Sequence, residues 1–588
     1  VTWFDGAVEP RPRQVLAAWL AARIEEGVRV AVIGDRGHLK TQPLAMITGL
    51  RAAPQPRGSL RISHRSKEIG LELEPIPSPP PNPLVIDAPD FTPWLSLTDT
   101  AGRRYDEVFI APWGGVMPGR YGVMEMPGGL DQFRWVTDPF AFLTAALALP
   151  SLPVPDTTTE NGRRLLFAHV DGDAFPSRAE MPGKLLAAEV LQRDILERYR
   201  IPHAMSVIEA EVAPHGLYPR ESAEMEGVAR RMFALPHVEI ASHSYTHPFY
   251  WEDTAAGKVS VAAQGYTLAP QDYVPSLERE ILGSAGYIRQ RLAPREKPVS
   301  LMLWTGNAAP TGRALEVAEQ GGMLNLNGGN TIITRAYPSL TAISPLGVRH
   351  PQGFHVYAPI MNENVFTNLW TGPYYGFERV IETFQMTGSP RRIKPIDIYY
   401  HTYSASKPAS LRALHKVYGW AMAQPVHPVF PSEFVRKAMN FNSVVLARPV
   451  GGNALLVRNA VHLRTLRAPA GLGVPDMAAS RGLAGWRAGE EGRYLHLADS
   501  RAEIRFAPAA NRLPMLHSAN ARLSRWKAVD KGLQFRLQGH QALELELVHP
   551  PQCLLSSAGK TLPGSSRDKQ HFLYRTSHAA ADFDLRCP

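Results

Sequence analysis

Leu165-Leu166-Phe167-Ala168-His169-Val170-Asp171-Gly172-Asp173-Ala174-Phe175 is a short apolar run that stops at two acids flanking one glycine. A buried strand reads this way when it delivers carboxylates to the mouth of a sheet or barrel. Further along, His237-Val238-Glu239-Ile240-Ala241-Ser242-His243-Ser244-Tyr245-Thr246-His247-Pro248 repeats the event with histidines. Two acids and two histidines at strand ends make a metal site the first hypothesis, because imidazole and carboxylate are both zinc ligands.

Around these stretches, strand and helix signals alternate. Helices are predicted over 184–199, 222–233, 275–292 and 410–423. Strands are predicted over 204–208, 238–241, 300–304, 323–326 and 396–401, the last of the series. Such alternation over 163–430 predicts an α/β barrel, complete or partial, with its active site at the C-terminal ends of the strands. Residues 247–273 and 331–376 are irregular, and loops that long in a compact domain are usually functional.

Upstream, residues 1–155 read as a Rossmann- or flavodoxin-like α/β domain with a small parallel sheet. A helix is expected at 12–26, strands at 28–33, 83–86 and 108–111, and a Gly- and Met-rich loop at 121–134. Gly34-Asp35-Arg36-Gly37 follows a strand but lacks the spacing of a dinucleotide loop and the lysine of a P-loop, so no cofactor is expected there. Pro153 to Gly162 has no periodicity and reads as a linker. From residue 431 to 588, short apolar or alternating runs separated by Gly, Pro and Asn read as a β-sandwich, a candidate carbohydrate-binding module.

The bulk numbers fit this multidomain reading. A chain of 588 residues exceeds what one core usually organises, and 44% hydrophobic with 20% charged residues describes folded domains. The net charge of +9 is scattered, and its densest cluster, Arg391-Arg392-Ile393-Lys394, is too small to argue for nucleic acid. The longest apolar stretch, Pro139 to Pro155, is interrupted by Thr144, Pro150 and Ser151 and is too short to span a membrane. No signal segment opens the chain, and residue 1 is Val, as expected of a processed or excised form. The two cysteines, Cys553 and Cys587, could pair in an oxidising compartment.

Alone, each motif has a bland alternative. Asp171 and Asp173 fit a polar turn or the D-x-D of sugar-nucleotide transferases. His243 and His247 fit capping or core positions, and Ser244 stands where a zinc protease would carry its Glu. Together, on strands of one barrel, they resemble the NodB-type polysaccharide deacetylases (carbohydrate esterase family 4). That family's first motif is T-F-D-D-G and its second H-[ST]-x-x-H. Here Gly172 separates the acids, a variant that with the flanking domains looks most like the deacetylases of Pel exopolysaccharide systems. The resemblance implies a divalent metal, Zn²⁺ first, held by Asp173, His243 and His247. It makes Asp171 the general base. His401, in the match Tyr399-Tyr400-His401 to the family's L-x-H, becomes the general acid. The third motif, R-x-P-[FWY], is not present as such. Leu303-Trp304-Thr305-Gly306-Asn307-Ala308-Ala309-Pro310 falls in its place, which makes Trp304 and Asn307 the candidates for substrate binding.

The function so implied is N-deacetylation of a GalNAc-rich N-acetylhexosamine polymer in the periplasm, during export and biofilm matrix formation. An outer-membrane export scaffold with TPR repeats is the implied partner. Two other readings stay open: a deacetylase of peptidoglycan or a chitin-like glycan, and a non-catalytic glycan-binding export scaffold.

Overall fold

A computed structural model of the chain describes residues 1–86, 90–126, 132–259, 267–268, 270, 272–509 and 514–588. The loops predicted at 121–134 and 247–273 lie partly outside the described residues. The chain divides into two compact units, 1–151 with 336–342, and 152–335 with 343–588.

The first unit contains a six-stranded sheet in the order Thr2–Phe4, Val30–Gly34, Gly114–Pro118, Arg104–Ala111, Thr92–Thr98, Arg61–Arg65. The first two pairings are parallel and the remaining three antiparallel, so the sheet is mixed and not the parallel one expected. The reason is local. Only Asp99 to Arg103 joins Thr92–Thr98 to Arg104–Ala111, and a parallel pair needs a crossover of about a dozen residues or more.

The second unit is organised by an eight-stranded sheet. Its strands are β1 (Thr159–Glu160), β2 (Arg163–Asp171), β3 (His203–Val207), β4 (Val238–Ser242), β5 (Val299–Leu303), β6 (Leu324–Leu326), β7 (Ile396–His401) and β8 (Val426–Pro428). The order runs β1-β2-β3-β4-β5-β6, and β7 and β8 also pair with β2. All pairings are parallel except that of β1 with β2. Ile396–His401 is therefore not the last strand, as β8 follows it. Among the described residues β6 and β7 are not paired, so the sheet curls as an open barrel.

The alternation along β2 explains its continuous apolarity. Leu166, Ala168 and Val170 pack into the larger core, with side chains from helices Ser222–Ala234 and Pro408–Met422. Leu165 and Phe167 face inward with Ala204, Ala241, Leu301, Leu303 and Leu326. Helix Pro431–Phe441 covers this inner face with Phe434, Val435 and Ala438, and Phe434 stacks on Phe167 at 5.0 Å between ring centroids. Burying such an aromatic is worth about 1.5–3 kcal/mol. The residue that continues this inner row past Phe167 is His169, and the next is Asp171.

The stretch expected to be a linker is structural. Asp156, Thr158, Thr159, Glu160 and Asn161 are buried, and Val154–Pro155 pairs with Thr465–Ala468. Its polar composition mimics a linker because Asp156 accepts from the backbone and hydroxyl of Thr158, closing its own turn. Beyond helix Pro431–Phe441 the regular elements among the described residues are strands, apart from one 3-10 turn at Ala470–Leu472. A four-stranded sheet includes β9 (Met515–Ala519), β10 (Glu544–Val548) and β11 (His571–Arg575). It shares a core with a five-stranded sheet, through Leu516, Leu545, Leu547 and Tyr574 against Leu523, Phe535, Phe583 and Leu585. Cys553 and Cys587 form a disulfide.

Candidate metal centre

β2, β4 and β7 end at Asp171, Ser242 and His401, so the residues at or just past their C-terminal ends converge. Gly172 shapes the first of these ends. A Cβ there would lie 2.6 Å from Val207 Cα and 2.9 Å from Val207 C, so only glycine lets the end of β3 come this close. Its role is close approach and not a special backbone angle. Ala174, Ser244 and His247 by contrast have φ of 54°, 65° and 54°, left-handed values costing a residue with a side chain about 1–2 kcal/mol.

Two buried carboxylates hold these turns. Glu211 accepts from the backbone N–H of Ala174 (3.1 Å) and Phe175 (2.9 Å). Glu280 accepts from those of Tyr245 (2.9 Å) and Thr246 (2.8 Å), and the Ser244 hydroxyl accepts from that of His247 (3.0 Å). Burial, reinforced by Asp173, pushes Glu211 up to about 8.

Inside this frame His243 Nε2 lies 3.0 Å from Asp173 Oδ2, and His247 Nε2 lies 3.1 Å from Asp173 Oδ1. The ligand atoms of the three residues all lie within 4.8 Å of one another. Asp173 Oδ2 is buried and, among the described residues, receives no well-angled hydrogen bond despite the nearby imidazole. Separations near 3 Å match the edge of a zinc tetrahedron, about 3.3 Å for bonds of 2.0–2.1 Å. Nδ1 of His243 lies 2.9 Å from the Leu303 carbonyl, to which it donates, leaving Nε2 as the lone-pair nitrogen. The donor set therefore fits a divalent metal. Burial opposes ionisation of Asp173, but His247, His243 and His401 outweigh it and hold its carboxyl well below the usual range.

Asp171, at 2% exposure, faces this group from the end of β2. Tyr399 Oη donates to its Oδ2 at 2.7 Å, and Asn327 Nδ2 donates to both oxygens at 3.2 and 3.0 Å. Asn327 stands just past β6 with φ of 93°, and its Oδ1 lies 3.1 Å from Nε2 of His169. Nδ1 of His169 in turn lies 2.9 Å from Asp397 Oδ1. A buried polar chain thus runs Asp171–Asn327–His169–Asp397. Burial works against a charged His169, and Asp397 overrides it, raising its proton affinity.

His401 Nε2 lies 3.8 Å from Asp171 Oδ2 and 4.0 Å from Asp173 Oδ2. Its Nδ1 meets Glu363 Oε1 at 2.8 Å and the Tyr403 hydroxyl at 3.0 Å. Burial would lower its pKa, but Glu363, with help from Asp173 and Asp171, pushes it up to about 10. From His401 a line of rings leads away: Tyr403 stacks on it at 4.9 Å, Trp370 lies 4.6 Å from Tyr403, and Tyr374 lies 5.1 Å from Trp370.

The structure thus brings Asp171, Asp173, His243, His247 and His401 together. Trp304 and Asn307 do not join them. Trp304 is a core residue at 1% exposure, its indole donating to Asn325 and packed edge-on against Trp251. Asn307 is exposed, and its side chain accepts from the Ala309 backbone, closing a turn. The side chains that do touch Asp171 are Asn327 and Tyr399, and those that touch His401 include Glu363 and Tyr403. Two signals pointed that way: Asn327 follows a predicted strand and precedes Gly328-Gly329, and Glu363 lies in the irregular stretch 331–376.

No protein-family model matches the chain, and no curated protein matches it. Among solved structures, a 4-alpha-glucanotransferase from Thermococcus litoralis is 11% identical, with 46% of this chain and 39% of that one covered and a TM-score of 0.30. A Puue allantoinase is 16% identical, with 46% and 89% covered and a TM-score of 0.29. A probable polysaccharide deacetylase from Pseudomonas aeruginosa PAO1 is 14% identical, with 46% and 89% covered and a TM-score of 0.29. At such TM-scores the likenesses assign neither fold nor function.

Proposed function

We propose that this chain is a metal-dependent hydrolase that removes N-acetyl groups from an N-acetylhexosamine polymer. The observation that carries the reading is the convergence of Asp171, Asp173, His243, His247 and His401 at the ends of three parallel strands. Asp173, His243 and His247 would hold a divalent ion, for which Zn²⁺ suits two imidazoles and one carboxylate. When bound, the ion supplies Lewis-acid polarisation of the acetyl carbonyl and acidifies a water molecule.

The chain's own residues handle the protons. Asp171, aimed by Asn327 and Tyr399, accepts the proton of the attacking water. A C–O bond forms at the acetyl carbon, and the C–N bond to the sugar then breaks. His401, kept protonated by Glu363, donates to the departing nitrogen, so the products are acetate and an amine. The aromatic line Tyr403–Trp370–Tyr374 supplies flat faces for sugar rings beyond the reacting unit. The resemblance to the deacetylase region of the Pel protein PelA makes a GalNAc-rich exopolysaccharide the first candidate. The same resemblance supports a periplasmic setting beside an outer-membrane export scaffold carrying TPR repeats. Each deacetylation would unmask a cationic amine on the polymer.

Acetate release from N-acetylated GalNAc and GlcNAc oligomers, with Zn²⁺ and after chelation, tests the reading. Release that chelation abolishes and Zn²⁺ restores is the expected result, and the better oligomer separates a Pel-like polymer from a chitin-like one. Bound metal with no acetate from either oligomer favours the glycan-binding scaffold.

A further inference from the structure

A second group of metal-ligating side chains stands in the C-terminal strands, remote in sequence from the centre just described. His517 lies on β9, Glu546 on β10 and His571 on β11, three adjacent strands of one sheet. Glu546 pairs with Leu573, and His571 lies two residues from Leu573, so their side chains share a face. The register of β9 against β10 slips between Leu516 and Ser518, leaving His517 as the extra residue of a bulge. Such a bulge re-aims a side chain that regular pleating would direct elsewhere.

We infer that His517, Glu546 and His571 form a second divalent-metal site, of the His₂-carboxylate kind that suits Zn²⁺. Their ligand atoms all lie within 4.8 Å of one another, and all three residues are partly buried and so reachable from solvent. His571 Nδ1 lies 3.2 Å from Glu546 Oε1, close to the roughly 3.3 Å edge of a zinc tetrahedron. The two imidazoles meet edge to face, with centroids 4.7 Å apart at 80°. His517 Nδ1 is shielded from solvent and, among the described residues, has no hydrogen-bond partner. Asp568 Oδ2, 4.0 Å from His571 Nε2, adds an acid beside the group. The site would cross-link three strands and leave one coordination position for water or an external ligand.

Zinc stoichiometry on the purified chain tests this without reference to deacetylation. Two equivalents are expected for the natural chain, one for Asp173→Asn/His247→Ala, one for Glu546→Gln, and none for the three changes combined. In the Asp173→Asn/His247→Ala background, Co²⁺ should give the visible bands of a tetrahedral site, and His517→Ala should abolish them. Glu546→Gln keeps the side-chain shape, and unchanged circular dichroism shows that it folds. Its loss of affinity should reach roughly 100-fold or more, above the 10–100-fold cost of an outer partner. If the Asp173→Asn/His247→Ala chain binds no ion, or keeps its ion unweakened in Glu546→Gln and His517→Ala, the residues are an ordinary histidine–carboxylate contact and the inference is wrong.

Discussion

Replacing Gly172 with Ala should separate the fold from the metal centre. The new Cβ would meet only backbone: Val207 Cα at 2.6 Å, Val207 C at 2.9 Å and Ile208 N at 3.0 Å. Carbon contacts settle near 3.5–4.0 Å, so relief requires the end of β2 and β3 to part by about 1 Å. No flexible side chain can absorb that. Overpacking of this kind costs about 1–3 kcal/mol, which a unit with such large cores tolerates. The metal centre does not, because Asp173 is the next residue and its two oxygens stand 3.0 and 3.1 Å from His243 and His247. Metal ligands must lie within about 0.2 Å of ideal distances, and a 1 Å misplacement of reacting groups costs about 100-fold in rate. Gly172→Ala should therefore remain folded with a slightly lower Tm, bind Zn²⁺ at least tenfold more weakly, and lose about 100-fold in acetate release. Calorimetric zinc titration beside a thermal melt reads both effects. Natural affinity and rate in the folded variant would refute the argument, since the strand ends would then have yielded without moving Asp173.

Other perturbations isolate single roles. Asp171→Asn should keep metal yet lose about 10²–10⁴-fold in acetate release, the range of a general base, and retained activity would remove that assignment. Glu363→Gln deletes the carboxylate that raises His401 to about 10. Because the acid form is the active one and is lost as pH rises, the alkaline limb of the pH–rate profile should move down toward the ordinary histidine value near 6.5; an unmoved limb would exclude His401 as the acid. Cys553→Ser/Cys587→Ser opens a loop with a sequence separation of 34. The chain-entropy relation gives about 3–4 kcal/mol, so denaturant should melt the C-terminal sheets earlier. Coincident melting with the natural chain would contradict that.

What was legible in the sequence follows from where chemistry is local. Asp171, Asp173, His243 and His247 could be read as a group because each follows an apolar run that ends abruptly. Trp304 and Asn307 stand only in the place of a motif the chain lacks, and their side chains serve a core and a turn. Glu363 reaches His401 from the start of the 3-10 turn Glu363–Phe366, 38 residues earlier, a contact that no periodicity announces. β8 carries no sequence signal because Val426-His427-Pro428 is too short to alternate, and strand-like runs close behind helix Pro431–Phe441 obscure its periodicity. The first unit's sheet turns antiparallel because Thr92–Thr98, whose central residues are all buried, is half of a hairpin that its apolar run does not announce.

Asn327 carries an evolutionary consequence. Its φ of 93° is one that glycine adopts freely and other residues hold at a cost of about 1–3 kcal/mol. Glycine there would relieve that strain and erase the carboxamide between Asp171 and His169. Selection for stability and selection for proton handling thus pull this one position in opposite directions. Among descendants of this chain, asparagine should persist where the chemistry is still in use, and glycine should mark lineages that have retired it.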